Sequence, residues 1–258
     1  MSSYDQPLIH AHELTKVYGQ HVAADRVTFA VRPGEIFGFL GPNGAGKTTT
    51  IKMLIGLLRP TSGAALIGGY DIAREPLKAK ALIGYVPDQP QLPDKLTARE
   101  FLQFVAGLYR LDPAQAQRRG EELLELFSLA DRGDDLVGGF SHGMRQKIAL
   151  SGALIHDPKA FFLDEPTVGL DPRSARLIKD ILRQAASQGT AIMLTTHILE
   201  IAERMCDRVG IINGGKLIAV GTVDELRHGS DGSLEDIFLA LTGGTEYQQQ
   251  LELSEERA

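Results

Sequence analysis

Eight residues constrain the fold of this chain more than anything else in it. Gly41-Pro42-Asn43-Gly44-Ala45-Gly46-Lys47-Thr48 fits the pattern G-x-x-x-x-G-K-[ST], which has structural meaning only between a strand and a helix. Both are written around it. Pro33-Gly34 marks a turn before the apolar run Ile36 to Leu40, and Lys47 to Leu58 carries Ile51, Met53, Leu54, Ile55 and Leu57 at helix-compatible spacing before stopping at Arg59-Pro60. Glycines let the backbone wrap closely so that successive N–H groups converge, and the helix N-terminus adds a dipole that favours an anion. Lys47 supplies a point charge for β- and γ-phosphates, and the Thr48 hydroxyl is a ligand for Mg²⁺.

The rest of the chain supplies a sheet for this unit. Strands are predicted at Leu8 to Val17 and Val27 to Val31, and again at Ala160 to Leu163 and Ala191 to Thr195. The helix-length segment Ser174 to Ser187 between the last two implies βαβ units and a mainly parallel sheet, buried on both faces. From Leu96 to Ile155 the spacing is helical, through Phe101, Leu102 and Val105, then Leu123, Leu124 and Phe127, then Ile148, Leu150 and Leu154, so a helical subdomain is expected. A hairpin follows, Val209 to Asn213 and Lys216 to Val220 through Gly214-Gly215. Then come Val223 to Arg227, a polar break at Gly229 to Ser233, Leu234 to Leu241, and a polar tail from Thr245 to Ala258.

Phe161-Phe162-Leu163 ends in Asp164-Glu165, two carboxylates at the carboxyl edge of the sheet, where ligands of open α/β folds bind. Asp164 suits the Mg²⁺ shell, and Glu165 could polarise an attacking water as general base. With 27 Lys+Arg against 33 Asp+Glu the formal charge is -6, so no global positive field exists to hold nucleic acid or an anionic membrane. The lone Cys206, an N-terminus without a basic start and apolar run, and the lack of any apolar stretch near ~18 residues point to the cytosol, with any membrane role acting through a partner.

Further motifs, in a fixed order, resemble the ATP-binding subunit of an ATP-binding cassette (ABC) transporter over nearly the whole chain. Phe140-Ser141-His142-Gly143-Met144 is similar to the family's LSGGQ signature, with His142 where glycine is usual. Gly169-Leu170-Asp171 looks like the D-loop, Thr196-His197 like the switch histidine, and Tyr18 like the aromatic that stacks on adenine. Ile83-Gly84-Tyr85-Val86-Pro87-Asp88-Gln89 is similar to the metal-sensing Q-loop, but Asp88 stands where glutamine is expected and Gln89 is one place later. Each short match has an ordinary alternative: a strand tyrosine, a surface histidine, an aspartate that merely caps a helix. Leu150-Ser151-Gly152-Ala153 also looks like a signature, but it lies inside a helical run where small residues serve close packing.

The resemblance implies a P-loop NTPase core, an N-terminal antiparallel β subdomain and an inserted helical subdomain. Residues 1–228 would form the ATP-binding domain, with the helical subdomain at about 88–158, and residues 229–258 a short helix and polar tail. It further implies ATP and Mg²⁺ as cofactors. Tyr18, the loop from Gly41 to Thr48 with Thr49, and Ser141, Gly143 and Asp171 would bind nucleotide, Thr48, Asp164 and Asp88 or Gln89 would serve the metal, and Lys47, Glu165 and His197 would carry catalysis. Only one motif set is present, so a second copy is the expected partner, with an integral membrane permease and no nucleic acid. The subunit would sit on the inner face of the cell membrane through that permease, and exporter-type subunits with a separate permease chain match best. The rival readings are a cassette ATPase acting on nucleic acid or ribosomes, and a module that binds ATP without turnover.

Overall fold

The computed structural model describes residues 6–167, 171–227 and 233–243. Its first two strands, β1 (Ile9–Tyr18) and β2 (His21–Val31), form an antiparallel hairpin that sets Tyr18 opposite His21. Strand β3 (Ile36–Leu40) then leads into the glycine loop and α1 (Lys47–Leu54). This helix stops a turn short of the predicted Leu58. Gly56 takes a left-handed φ of 68°, and the N–H groups of Leu57 and Leu58 turn back to the Lys52 carbonyl.

Strands β4 (Ser62–Ile67) and β5 (Tyr70–Asp71) complete an antiparallel sheet in the order β2-β1-β4-β5. After the short α2 (Pro76–Ala81) and β6 (Ile83–Val86) come the helices α3 (Ala98–Leu108), α4 (Pro113–Leu126) and α5 (His142–Leu154). The chain returns through β7 (Ala160–Asp164), α6 (Pro172–Ser187), β8 (Ala191–Thr196), α7 (Leu199–Met205), β9 (Arg208–Asn213) and β10 (Lys216–Gly221), then α8 (Val223–Arg227) and α9 (Leu234–Thr242). A six-stranded sheet in the order β10-β9-β3-β8-β7-β6 is parallel at every pairing except β9 with β10. Helix α6 begins two residues before the predicted Ser174 because Asp171 caps it and Pro172 fits its first turn.

Strand periodicity decides where the core sits. On β3, β7 and β8 successive side chains go to opposite faces. Ile36, Leu40, Phe161, Leu163, Ile192 and Leu194 join the cluster built with α3 to α7, while Phe37, Phe39, Ala160, Phe162, Ala191 and Met193 join the one under the antiparallel sheet and α1. Continuous apolar strands are therefore required here. Inside α5, a Cβ on Gly152 would stand 2.9 Å from the Phe101 ring, and the Ser151 hydroxyl donates to the Lys147 carbonyl at 2.9 Å. The small residues of that stretch serve packing. Leu234 is fully buried and its N–H donates to Glu203 Oε1 at 2.8 Å, which ties α9 to α7. Gly169, Leu170 and the tail from Thr245 to Ala258 lie outside the described residues.

Candidate functional site

The loop leaving β3 is tight because side chains are excluded from it. A Cβ on Gly41 would stand 2.4 Å from the Ile212 carbonyl oxygen, and one on Gly46, at φ 107°, would stand 2.4 Å from that of Ala23. The β9–β10 turn braces the loop from outside. Gly214 and Gly215 both have positive φ, as a two-residue hairpin needs, and the Gly215 N–H donates to the Ala45 carbonyl at 2.9 Å. Lys47, the buried first residue of α1, donates from Nζ to the carbonyls of Gly41 at 2.6 Å and Pro42 at 3.2 Å. Burial lowers its pKa, and the Glu165 and Asp164 carboxylates act in the opposite direction.

Parallel register sets Asp164 opposite Thr195. The Thr195 hydroxyl donates to Asp164 Oδ1, and the Thr48 hydroxyl donates to Oδ2 at 3.3 Å, so both carboxylate oxygens are oriented. Glu165 leaves the strand at φ 51°, a left-handed conformation that costs about 1–3 kcal/mol in a non-glycine residue. Its N–H is held by the carbonyl and hydroxyl oxygens of Thr195, each at 3.2 Å. This turn re-aims the side chain. Oε1 meets His197 Nδ1 at 2.9 Å, a hydrogen bond the carboxylate accepts when Nδ1 carries the proton, whereas Oε2 is buried with no partner. A buried carboxylate oxygen left free is uncommon, and this one keeps its capacity to accept a proton.

Asn43, Gly44, Ala45, Gly46, Lys47, Thr48 and Thr49 line one cleft of about 400 Å³ together with Tyr18, Asp88, Asp164 and Glu165. Gly41 and Pro42 serve it through the carbonyls that hold Lys47, and His197 reaches it through Glu165. Tyr18 is half exposed. Gln89 is exposed and does not line the cleft, whereas Asp88 does. Ser141, Gly143 and Asp171 stand outside it. Ser141 caps α5, accepting from the Met144 N–H at 3.4 Å, and Asp171 caps α6, accepting from the Arg173 and Ser174 N–H groups at 3.0 and 2.9 Å. The Ser174 hydroxyl, 2.6 Å from Asp171, leads in holding that carboxyl below its usual range.

Three contributors escape sequence reasoning: His21, which lines the cleft beside Tyr18, Thr195, which orients Asp164, and the Gly215 brace. The turns at Gly19-Gln20 and Gly214-Gly215 carry a local signal, whereas the contacts they make with the site do not. Among the described residues no group of three or more His, Cys, Asp or Glu is placed to hold an ion unaided. The oxygens of Thr48 and Asp164 instead fit Mg²⁺, which prefers one or two protein oxygens and completes its shell with phosphate and water.

The family model described as ABC transporter matches residues 24–168. The linearmycin resistance ATP-binding protein LnrL of Bacillus subtilis (strain 168) is 42% identical over 219 residues, covering 85% of this chain and 70% of that protein. The daunorubicin resistance ATP-binding protein DrrA3 of Streptomyces coeruleorubidus is 40% identical over 228 residues, covering 88% of this chain and 72% of that protein. A solved structure of the ATP binding subunit of an ABC transporter superposes with a TM-score of 0.87 at 36% identity, over 91% of this chain and 99% of the other.

Proposed function

This chain belongs to the ABC transporter family as an ATP-binding and ATP-hydrolysing subunit, and we propose on that basis that two copies close on ATP to drive export through a separate membrane permease. The observation that carries the reading is the separation of its own motifs. The cleft holds the phosphate loop, Asp164 and Glu165, while Ser141 caps a helix outside it and Gly143 lies in that helix's first turn. A two-fold pairing brings the signature of one copy to the cleft of the other and completes two equal sites.

In each site Tyr18 stacks on the adenine, and the loop amides with Lys47 hold the phosphates. Bound at Thr48 and Asp164, with Asp88 nearby, Mg²⁺ would neutralise and orient the phosphate oxygens. Glu165 takes a proton from the attacking water at its free Oε2. His197 orients that carboxylate through Oε1, and its second ring nitrogen would hydrogen-bond the γ-phosphate.

The permease seat we assign is an apolar groove of about 360 Å³ lined by Leu57, Tyr85, Pro90, Leu92, Val105 and Gly152. Tyr85 borders this groove, and its phenol is pushed up to about 12, mainly by burial and then by Asp164 and Asp88. No helix among the described residues is long and apolar enough to cross a membrane, which supports a seat on the inner face of the cell membrane through the permease. Relatives named for linearmycin and daunorubicin resistance support an antibiotic-type organic compound as cargo. The net charge of -6 disfavours the nucleic-acid reading. Purification of the tagged chain from native membranes tests the proposal. Co-purification of an integral membrane chain that stimulates phosphate release is expected, and recovery only with ribosomes or DNA refutes it.

A further inference from the structure

Beyond the groove, the chain stitches the segment that follows the metal-sensing loop to the segment that precedes the signature. After Gln91 and Leu92, which line the groove, residues 94–99 run beside residues 133–138. The Val137 N–H donates to the Leu96 carbonyl at 2.9 Å, the Ala98 N–H to Asp135 at 3.3 Å and the Arg99 N–H to Gly133 at 3.0 Å, and Thr97 bridges Leu136. At the near end the two segments almost touch. The Gly138 N–H donates to the Asp94 carbonyl at 3.2 Å, and a Cβ on Gly138 would stand 2.9 Å from both the Cβ and the carbonyl oxygen of Asp94.

Arg145 closes this junction from the first turn of α5. Its Nη1 donates to Asp94 Oδ1 at 2.7 Å and to the Val137 carbonyl at 3.1 Å, and Ser141 caps the same turn. One guanidinium therefore holds the groove-side segment, the segment before the signature and the signature helix together. We infer that Arg145 is a positioning residue for ATP hydrolysis: by gripping Asp94 it sets where Ser141 and Gly143 stand and transmits the occupancy of the groove to them. The inference rests on the proposed reading of the groove as the permease seat and of the signature as part of the ATP site.

The exposure of the pair separates positioning from stability. The Asp94 side chain is 68% exposed and that of Arg145 25%, so their ion pair contributes little to the fold. Its loss should appear in turnover. The test uses Arg145→Gln, Asp94→Ala and the double variant, as the full chain alone and in complex with the permease. Expected for each single variant are a kcat lowered by about fivefold or more, the scale of coupling between contacting side chains, and an ATP KM within about twofold of wild type. Stimulation by the permease should fall toward none, Arg145→Lys should restore part of it, and the double variant should be no worse than the poorer single one.

Wild-type stimulation in Arg145→Gln, or losses that simply add in the double variant, overturns the inference. So does a lowered melting temperature with kcat falling in proportion to the folded fraction, which marks a structural role. A wild-type complex without permease stimulation refutes the groove reading instead, and the kcat comparison on the chain alone then still decides whether Asp94 and Arg145 act as a unit.

Discussion

Glu165→Gln isolates proton acceptance from everything else Glu165 does. The amide matches the carboxylate in size, so the backbone at φ 51° and the N–H bonds to Thr195 are retained, and an amide oxygen at the Oε1 position keeps the contact with His197. What changes is the Oε2 position. There a free acceptor becomes an NH₂ donor, which cannot take a proton from water. Removing a positioned general base slows turnover by about 10²–10⁴, equivalent to about 3–5 kcal/mol in the barrier.

Binding should survive, because the phosphate loop and Thr48 are untouched and one negative charge is removed near the phosphates. Lys47 responds as well. Glu165 is the larger of the two carboxylate influences that raise its pKa against burial, so the variant's ammonium loses its proton at a lower pH, and weakening of ATP binding at alkaline pH should begin earlier than in wild type. Phosphate release and nucleotide binding measured side by side, with size-exclusion chromatography in ATP and Mg²⁺, decide the matter. Slow release with retained binding and an accumulated dimer is expected. Turnover within about threefold of wild type assigns the base elsewhere, and loss of binding makes Glu165 a structural residue.

Three further outcomes are expected. Asp88→Asn should flatten the Mg²⁺ dependence of ATPase activity because Asp88 lines the cleft, with Gln89→Ala near wild type; the reverse pattern gives the sensing role to Gln89. Gly152→Val forces a Cβ now 2.9 Å from the Phe101 ring, so urea unfolding should show a loss of about 1–3 kcal/mol while nucleotide binding persists, and unchanged stability refutes the packing account. His156 donates from Nε2 to the Ile83 carbonyl at 2.9 Å and stacks on Tyr109, and burial lowers its pKa below 6.5 against the opposing Ile83 carbonyl and Asp157. Below 6.5 the unfolded chain then binds the proton more readily, so this contribution is full above 6.5 and is lost as pH falls through the folded value. His156→Gln should make the acid limb of stability shallower in urea titrations, and an identical limb counts against it.

The long regular elements were legible because their periodicity reflects which face is buried. On β3, β7 and β8 both faces meet core, hence the apolar runs, and the helical spacing of Phe101, Leu102, Leu123, Leu124, Ile148 and Leu150 mirrors one shared cluster. Short elements were not legible, since β5 has two residues and α2 six, too few for a period to declare itself. The end of α1 was misplaced for a related reason: Leu57 and Leu58 continue the apolar pattern of Ile55 past Gly56, and only the left-handed backbone at Gly56 reveals that they belong to a turn.

The same distinction governs the site. Lys47 and Thr48 are legible because four residues of turn and one helix start place them, and Asp164 and Glu165 because a strand ends in them. Thr195 is distant in sequence and becomes part of the site only through the pairing of β7 with β8, which no local pattern specifies. The strain at Glu165 follows from that dependence. Thr195 holds the Glu165 N–H twice and Asp164 once, so a single residue on the neighbouring strand maintains the left-handed turn that points Glu165 toward His197, itself two residues beyond Thr195. Thr195 and His197 therefore orient the carboxylate of Asp164, the backbone of Glu165 and its side chain, which makes the end of β8 and the residue after it a single device holding both carboxylates.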